Sequence, residues 1–167
     1  SHDAAARAGL HAALDAGEAV LAGGGSALDA VEAAVRVLED DPHFNAGRRA
    51  GFTYEGGIEL DAAIMDGVAR NAGAVAGVTT TRNPVSLARA VMDDSPHVLL
   101  AREGADRFGV ERGVEQVDPE WFRTPERARQ LDEMKARPEG DHYDVDMKYG
   151  TVGAVACDRN GHVAAAT

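Results

Sequence analysis

Apolar residues in the first forty positions recur at helical spacing. Leu10, Leu14 and Leu21 repeat through an alanine-rich run that stops at Gly23-Gly24-Gly25, which predicts a first helix. Ser26 then offers an N-cap, with Asp29 three residues on to complete a capping box. Behind it Leu28, Val31, Val35 and Leu38 follow 3-4-3 steps along one face, and Asp40, Asp41 and Pro42 end this second helix. From Phe44 to Val78 the pattern changes to short apolar runs between turn signals. Leu60, Ala62 and Ile64 alternate, and Ala72 to Val78 is a small-residue run, so both predict strands, the second packed on both faces. Pro84 opens a helix through Leu87, Ala90 and Val91 that closes at Asp93, Asp94 and Ser95. His97 to Leu100 is too short a run to separate strand from helix.

Arg102 to Arg137 is the most charged stretch and predicts two helical pieces, the second opening at Pro119 with Trp121 and Phe122 on its apolar side. Residues 138–149 are polar, acidic and aperiodic, which reads as a mobile linker. It gives way abruptly at Thr151 to alternating Val152, Ala154 and Ala156. A turn at Asp158-Arg159-Asn160-Gly161 then leads to Val163–Ala166, a hairpin pattern. No internal repeat is present.

The chain has 167 residues, the size of one ordinary domain, and its composition is globular. A net charge of −11 argues against nucleic acid and against an anionic membrane surface as partners. The single cysteine, Cys157, excludes an internal disulfide and a Cys-rich zinc site. It lies in an apolar strand pattern and is expected to be a buried, inert thiol. No apolar run approaches about 18 residues, so nothing is expected to span a bilayer, and a cytoplasmic protein is the expectation. Asp61 and Asp66 are an odd number apart on one strand and should face opposite sides, with Asp66-Gly67 forming a turn. Gly23-Gly24-Gly25 joins two helices and lacks the Lys of a phosphate-binding loop. His43 and His97 have no ligand spacing to another His or Cys.

The chemically distinctive place is Gly150-Thr151, where the acidic linker runs straight into a strand. If the bond between them is cut, the freed α-amino group of Thr151, with a reference pKa of about 8, lies within reach of its own hydroxyl as general base. Gly150 suits the cut because it tolerates strained backbone and leaves its carbonyl open to the hydroxyl. On these two residues alone, the ordinary start of a strand is the simpler reading.

The wider pattern favours the nucleophile. Gly150-Thr151-Val152-Gly153-Ala154-Val155-Ala156-Cys157-Asp158 and Val163-Ala164-Ala165-Ala166-Thr167 resemble the cleavage segment of the plant-type L-asparaginase/isoaspartyl peptidase family. These are N-terminal nucleophile (Ntn) hydrolases with a threonine nucleophile. Phe44-Asn45-Ala46-Gly47, Glu59-Leu60-Asp61-Ala62, Ile64-Met65-Asp66-Gly67, Ala72-Gly73-Ala74-Val75-Ala76-Gly77-Val78 and Arg82-Asn83-Pro84 resemble the same family in its order. So do Ser95-Pro96-His97-Val98 and Glu103-Gly104-Ala105.

The resemblance implies an α/β four-layer fold, the αββα Ntn-hydrolase sandwich, of which this chain is an incomplete part. Residues 1–150 correspond to the α-subunit portion and 151–167 to the start of the β-subunit, within one domain. It implies autocleavage between Gly150 and Thr151, a (αβ)2 assembly, and hydrolysis of L-asparagine and of β-aspartyl dipeptides by Thr151. It also implies that the remaining β-subunit segment supplies the oxyanion donors and the groups that clamp the substrate.

Asn45 matches an Asn near the nucleophile, where it would polarise or orient; as a sequence position alone it serves equally as a turn residue bonding its own backbone. Leu38, Glu39, Asp41, Phe44, Ala46 and Arg48 match a loop that wraps a structural sodium ion with main-chain carbonyls, and no organic cofactor is implied. Without the resemblance, Glu39, Asp40 and Asp41 read as a solvated helix end. Two alternatives stay open: a glycosylasparaginase of the same fold, where Asp rather than Gly150 is expected before the nucleophile, and a non-catalytic, uncleaved assembly subunit. One position departs from the pattern. Arg49 stands where the family carries Gly, and an Arg there resists positive φ and sets a long cation beside the site.

Overall fold

A computed structural model describes residues 2–136 and 151–167. The proposed linker at 138–149 and Gly150 lie outside these described residues. Two helices open the chain, α1 (His2–Ala22) and α2 (Ala27–Asp40), separated at the triple glycine. The Ser26 hydroxyl accepts the Asp29 N–H at 3.1 Å. The Asp29 carboxylate, held by Ser26 and also by Arg89, sits below its usual pKa, as a capping-box partner should. Val31, Val35 and Leu38 of α2 are buried as their spacing requires.

The leucine stripe of α1 behaves otherwise: Leu10 is 48% and Leu14 61% exposed. The small residues win the inner face instead. Ala13 is buried, and at Gly17 an added Cβ would come within 3.3 Å of the Ala30 carbonyl, so α1 lies close on α2 through its small side chains.

Strands β1 (Leu60–Asp66) and β2 (Ala72–Val78) precede α3 (Pro84–Asp94), the short β3 (Leu99–Ala101) and α4 (Arg102–Glu111). The ambiguous run near His97 therefore resolves into β3, and the chain turns at once into α4 through Arg102, whose φ is 55°. Pro119, Trp121 and Phe122 do not open the second helical piece. They form a separate 3-10 turn, Pro119–Phe122, capped by Asp118, and α5 (Pro125–Lys135) starts after Thr124, whose hydroxyl accepts the Arg127 N–H at 3.3 Å. Proline at both starts explains the split, because each ring removes a donor that an uninterrupted helix would use. The hairpin is β4 (Ala154–Cys157) and β5 (Val163–Ala166).

The five strands lie in the order β3-β2-β1-β5-β4, antiparallel except for the β2–β3 pair. Among the described residues, helices cover one face. There Leu60, Ala62 and Ile64 of β1, Val75 and Val78 of β2, and Ala164 and Ala166 of β5 pack against α2 and α3 in one core, with Phe122 fully buried in it. β2 is thus packed on one face among the described residues, and β4 is a half-exposed edge strand rather than a buried one. The other face carries Leu99, Met65, Val163 and Val155, all 45% exposed or more. Its Cys157 is exposed as well, against the expectation of a buried thiol, because β4 turns its odd-numbered side chains away from the helices. The described residues therefore supply helices and a mixed sheet, two adjacent layers of the expected four. Among them no helix is long and apolar enough to cross a membrane.

Candidate active site

Thr151 opens the second described stretch beside the start of β1, where Leu60 and Asp61 line the same cavity. Thr151 is exposed, and the strand that follows begins at Ala154, three residues later than the sequence pattern suggests. Val152 turns its side chain toward the core, packing against residues of both hydrophobic clusters. Thr151 lines a cavity of about 220 Å³, together with Asn45, Ala46, Glu39 and Thr167. Asp61 and Glu59 close another side of it. Asp61 faces away from the helices while Asp66 does not, as their odd spacing requires, and Asp66 makes the expected turn. Its carboxylate accepts the N–H groups of Ala69 at 3.0 Å and Val68 at 3.1 Å, which hold it below the usual range.

Asn45 reaches the cavity because the chain leaves α2 at Asp41 and loops back through the 3-10 turn Gly47–Arg49. The return is tight: Gly47 holds φ +45°, and a Cβ there would collide with the Glu39 carbonyl. The positive φ falls on Gly47, and Arg49 needs none. Among the described residues the non-glycine positions with positive φ are Arg70 and Arg102. The loop thus accommodates Arg49 without the backbone conflict expected of it. Its guanidinium donates to the His43 carbonyl at 3.5 Å and pairs with Glu126 of α5 at 3.0 Å, while Arg127 Nε donates back to the Arg49 carbonyl at 3.2 Å.

The Asn45 side chain is not spent on its own turn. Its Oδ1 is buried without a hydrogen-bond partner among the described residues, and so is Oε2 of Glu39. Buried polar atoms left unpaired are rare and costly, so two from residues lining one cavity mark a place that takes further hydrogen-bonding groups. Glu39 is 3% exposed, and burial pushes its pKa up to about 8 despite the hydrogen bond from the Val85 N–H and the nearby Asn83 amide. Its Oε1 accepts the Val85 N–H at 2.9 Å and so caps the first turn of α3, where Asn83 itself makes no side-chain cap. The solvated helix end expected at Glu39 is therefore wrong for its side chain. The signal was present, since Val31, Val35 and Glu39 are four apart and share the buried face.

The other matched loop positions scatter. Leu38 is buried under α1, Phe44 packs against the same small cluster, and the Arg48 guanidinium sits 5.4 Å from the Trp121 ring centroid. Asp41 Oδ1 accepts the His43 N–H at 2.9 Å and lies 2.6 Å from His43 Nδ1. Of this group, Glu39 and Ala46 line the cavity. Among the described residues no cluster of His, Cys, Asp and Glu side chains has the makings of a metal site, so any cation here would depend on carbonyl oxygens.

The sequence profile described as Asparaginase matches residues 1–167, the whole chain. The chain belongs to the asparaginase family. It is 51% identical over 166 residues to the isoaspartyl peptidase of Escherichia coli (strain K12), covering 95% of this chain and 51% of that protein. It is 45% identical over 161 residues to the isoaspartyl peptidase/L-asparaginase of Mus musculus (96% and 49% covered). Identity is 43% over 159 residues to the isoaspartyl peptidase/L-asparaginase of Homo sapiens (95% and 52%). The chain spans about half the length of the curated relatives it matches.

Proposed function

We propose that the full-length protein is an isoaspartyl peptidase/L-asparaginase that matures by cutting itself between Gly150 and Thr151. The observation that carries this is the meeting of Thr151 with Asn45, whose buried Oδ1 is unpartnered, at one cavity, in a chain 51% identical to a relative named isoaspartyl peptidase and 43–45% identical to relatives named isoaspartyl peptidase/L-asparaginase. In the precursor the Thr151 hydroxyl adds to the Gly150 carbonyl, the C–N bond breaks, and the acyl group rests on oxygen as an ester. Water then hydrolyses the ester, releasing the Gly150 carboxylate and restoring the hydroxyl beside a new α-amino group. That amine takes the hydroxyl proton when Thr151 attacks the side-chain amide of asparagine or the isopeptide carbonyl of a β-aspartyl dipeptide. Ammonia or an amino acid leaves, and a second water frees aspartate. Asn45 Oδ1 offers an acceptor to the N–H groups of the mature amine and orients it.

The substrate's α-amino and α-carboxylate groups and the oxyanion are held by the remaining β-subunit segment, and two αβ units pair in the cytoplasm. A structural sodium ion fits the loop after α2. A helix leaves its last four carbonyls without intrahelical donors, Leu38 and Glu39 fall in that turn, and Gly47 folds the loop back onto the Glu39 carbonyl. The main-chain oxygens of Leu38, Glu39, Asp41, Phe44, Ala46 and Arg48 would hold it, the oxygen donors a hard cation prefers. Such an ion would fix the loop that presents Asn45.

Thr151→Ala in the full-length protein tests the reading. One uncut polypeptide with no ammonia released from asparagine and no cleavage of β-Asp-Leu is expected. Processing or hydrolysis at the parental rate would overturn it, and a preference for N-glycosylated asparagine would move the assignment to the glycosyl branch.

A further inference from the structure

The segment that carries Thr151 is not held by the sheet ladder. Pairing of β4 with β5 starts at Ala154 opposite Ala166, so residues 151–153 run on without strand partners. A side chain takes over where the ladder stops. The Thr167 hydroxyl donates to the Val152 carbonyl at 2.7 Å. Thr167 is itself anchored, since its N–H donates to the Ala63 carbonyl and its carbonyl accepts the Ala63 N–H, both at 2.9 Å. Gly153 permits the close approach, because an added Cβ would stand 3.2 Å from the Ala166 carbonyl. The grip falls on the Val152–Gly153 peptide group, one residue beyond Thr151, and Thr151 and Thr167 line the same cavity.

We infer that Thr167 is a positioning residue for the nucleophile: its hydroxyl fixes the Val152 carbonyl, and with it the direction from which Thr151 presents its hydroxyl and amine. This rests on the function proposed above. The Val152 side chain, packed into the core, holds that residue from the other side. Misplacing a reacting group by about 1 Å costs up to about a hundredfold in rate. Loss of this one bond therefore belongs in kcat and in the processing rate, and leaves KM, set by groups that touch the substrate, nearly unmoved.

The test uses the full-length protein with Thr167→Val, which keeps the shape and removes the donor, and Thr167→Ser, which keeps the donor and removes the methyl. Thr167→Val is expected to slow self-cleavage and to lower kcat on asparagine by roughly tenfold to a hundredfold, with KM within about twofold and Thr167→Ser recovering most of the rate. Should Thr167→Val not fold, Thr167→Cys against Thr167→Ser makes the same comparison, since a thiol is a poor donor. The inference is overturned if the variants with and without a donor are equally fast, equally slow, or differ only in KM. Thr151→Ala run alongside separates the two failures. If it is inert while Thr167→Val is fully active, the nucleophile stands and the positioning role falls.

Discussion

Glu39 shows how one side chain can belong to the fold and the site together. Its Oε1 caps α3 through the Val85 N–H, Oε2 is buried without a partner, and the residue lines the cavity that Thr151 lines. Truncation to alanine leaves that N–H without its acceptor in a buried place, and the expected loss is about 2 to 3 kcal/mol, read by chemical denaturation. Glu39→Gln keeps an oxygen for Val85 in nearly the same volume, so its stability should stay within about 1 kcal/mol of the parent. An equal loss in both variants would mean that the carboxyl does something other than cap. Asn45 is the complementary case. Its type suits a turn, yet its oxygen is withheld from the turn and left at the cavity wall.

Among the elements, the β4–β5 hairpin is placed by its own turn. Asp158 is 9% exposed: Oδ1 accepts the N–H groups of Asn160 at 2.9 Å and His162 at 3.1 Å, and Oδ2 accepts that of Ala27, at the start of α2, at 3.3 Å. Burial raises its pKa, but these three N–H groups and the nearby His162 outweigh burial and hold the carboxyl below the usual value. A carboxylate depressed in the folded state contributes stability that is present above its unfolded pKa and lost as pH falls through the folded one. The parent is therefore expected to lose melting temperature between neutral pH and about pH 3 by an amount that Asp158→Asn reduces. The variant should melt lower at neutral pH, with its acid limb flattened, and thermal melts across that range decide it. Parallel acid limbs would count against the assignment. Because the hairpin leads back toward Thr151, the same cap fixes how α2 and the nucleophile segment sit together.

At the scale of the molecule, the described residues cover the sheet on one face and leave the other bare. Met65, Ala165 and Val155 lie in register across three strands, and Leu99, Val163 and Cys157 extend this apolar surface away from the helices. A contiguous apolar face of this kind is covered in a stable protein or it associates. Expressed as these 167 residues, the protein is expected to bind an apolar dye and to self-associate in sedimentation. Val155→Lys, at the most exposed apolar position, should reduce both. A monomer that ignores the dye would show that the face is masked some other way.

The periodic elements were readable from the chain because local geometry sets them: α2 with its cap, the β1 and β2 runs, α3 behind Pro84, and the hairpin around Asp158-Arg159-Asn160-Gly161. The motif order was equally legible, and it brought Thr151 and Asn45 forward as partners before any coordinate placed them at one cavity. What the sequence left undecided depended on which of two competing faces found a neighbour. The leucines of α1 lost the inner side to Ala13 and Gly17, since closer helix approach buries more of α2. Cys157 ended outward because only pairing with β5 fixes which side of β4 meets the helices. Glu39 was drawn inside by its place on the Val31-Val35 stripe and by an α3 amide that needed an acceptor. The grip of Thr167 on Val152 joins residues fifteen positions apart across a hairpin, and only the folded register brings that hydroxyl to that carbonyl.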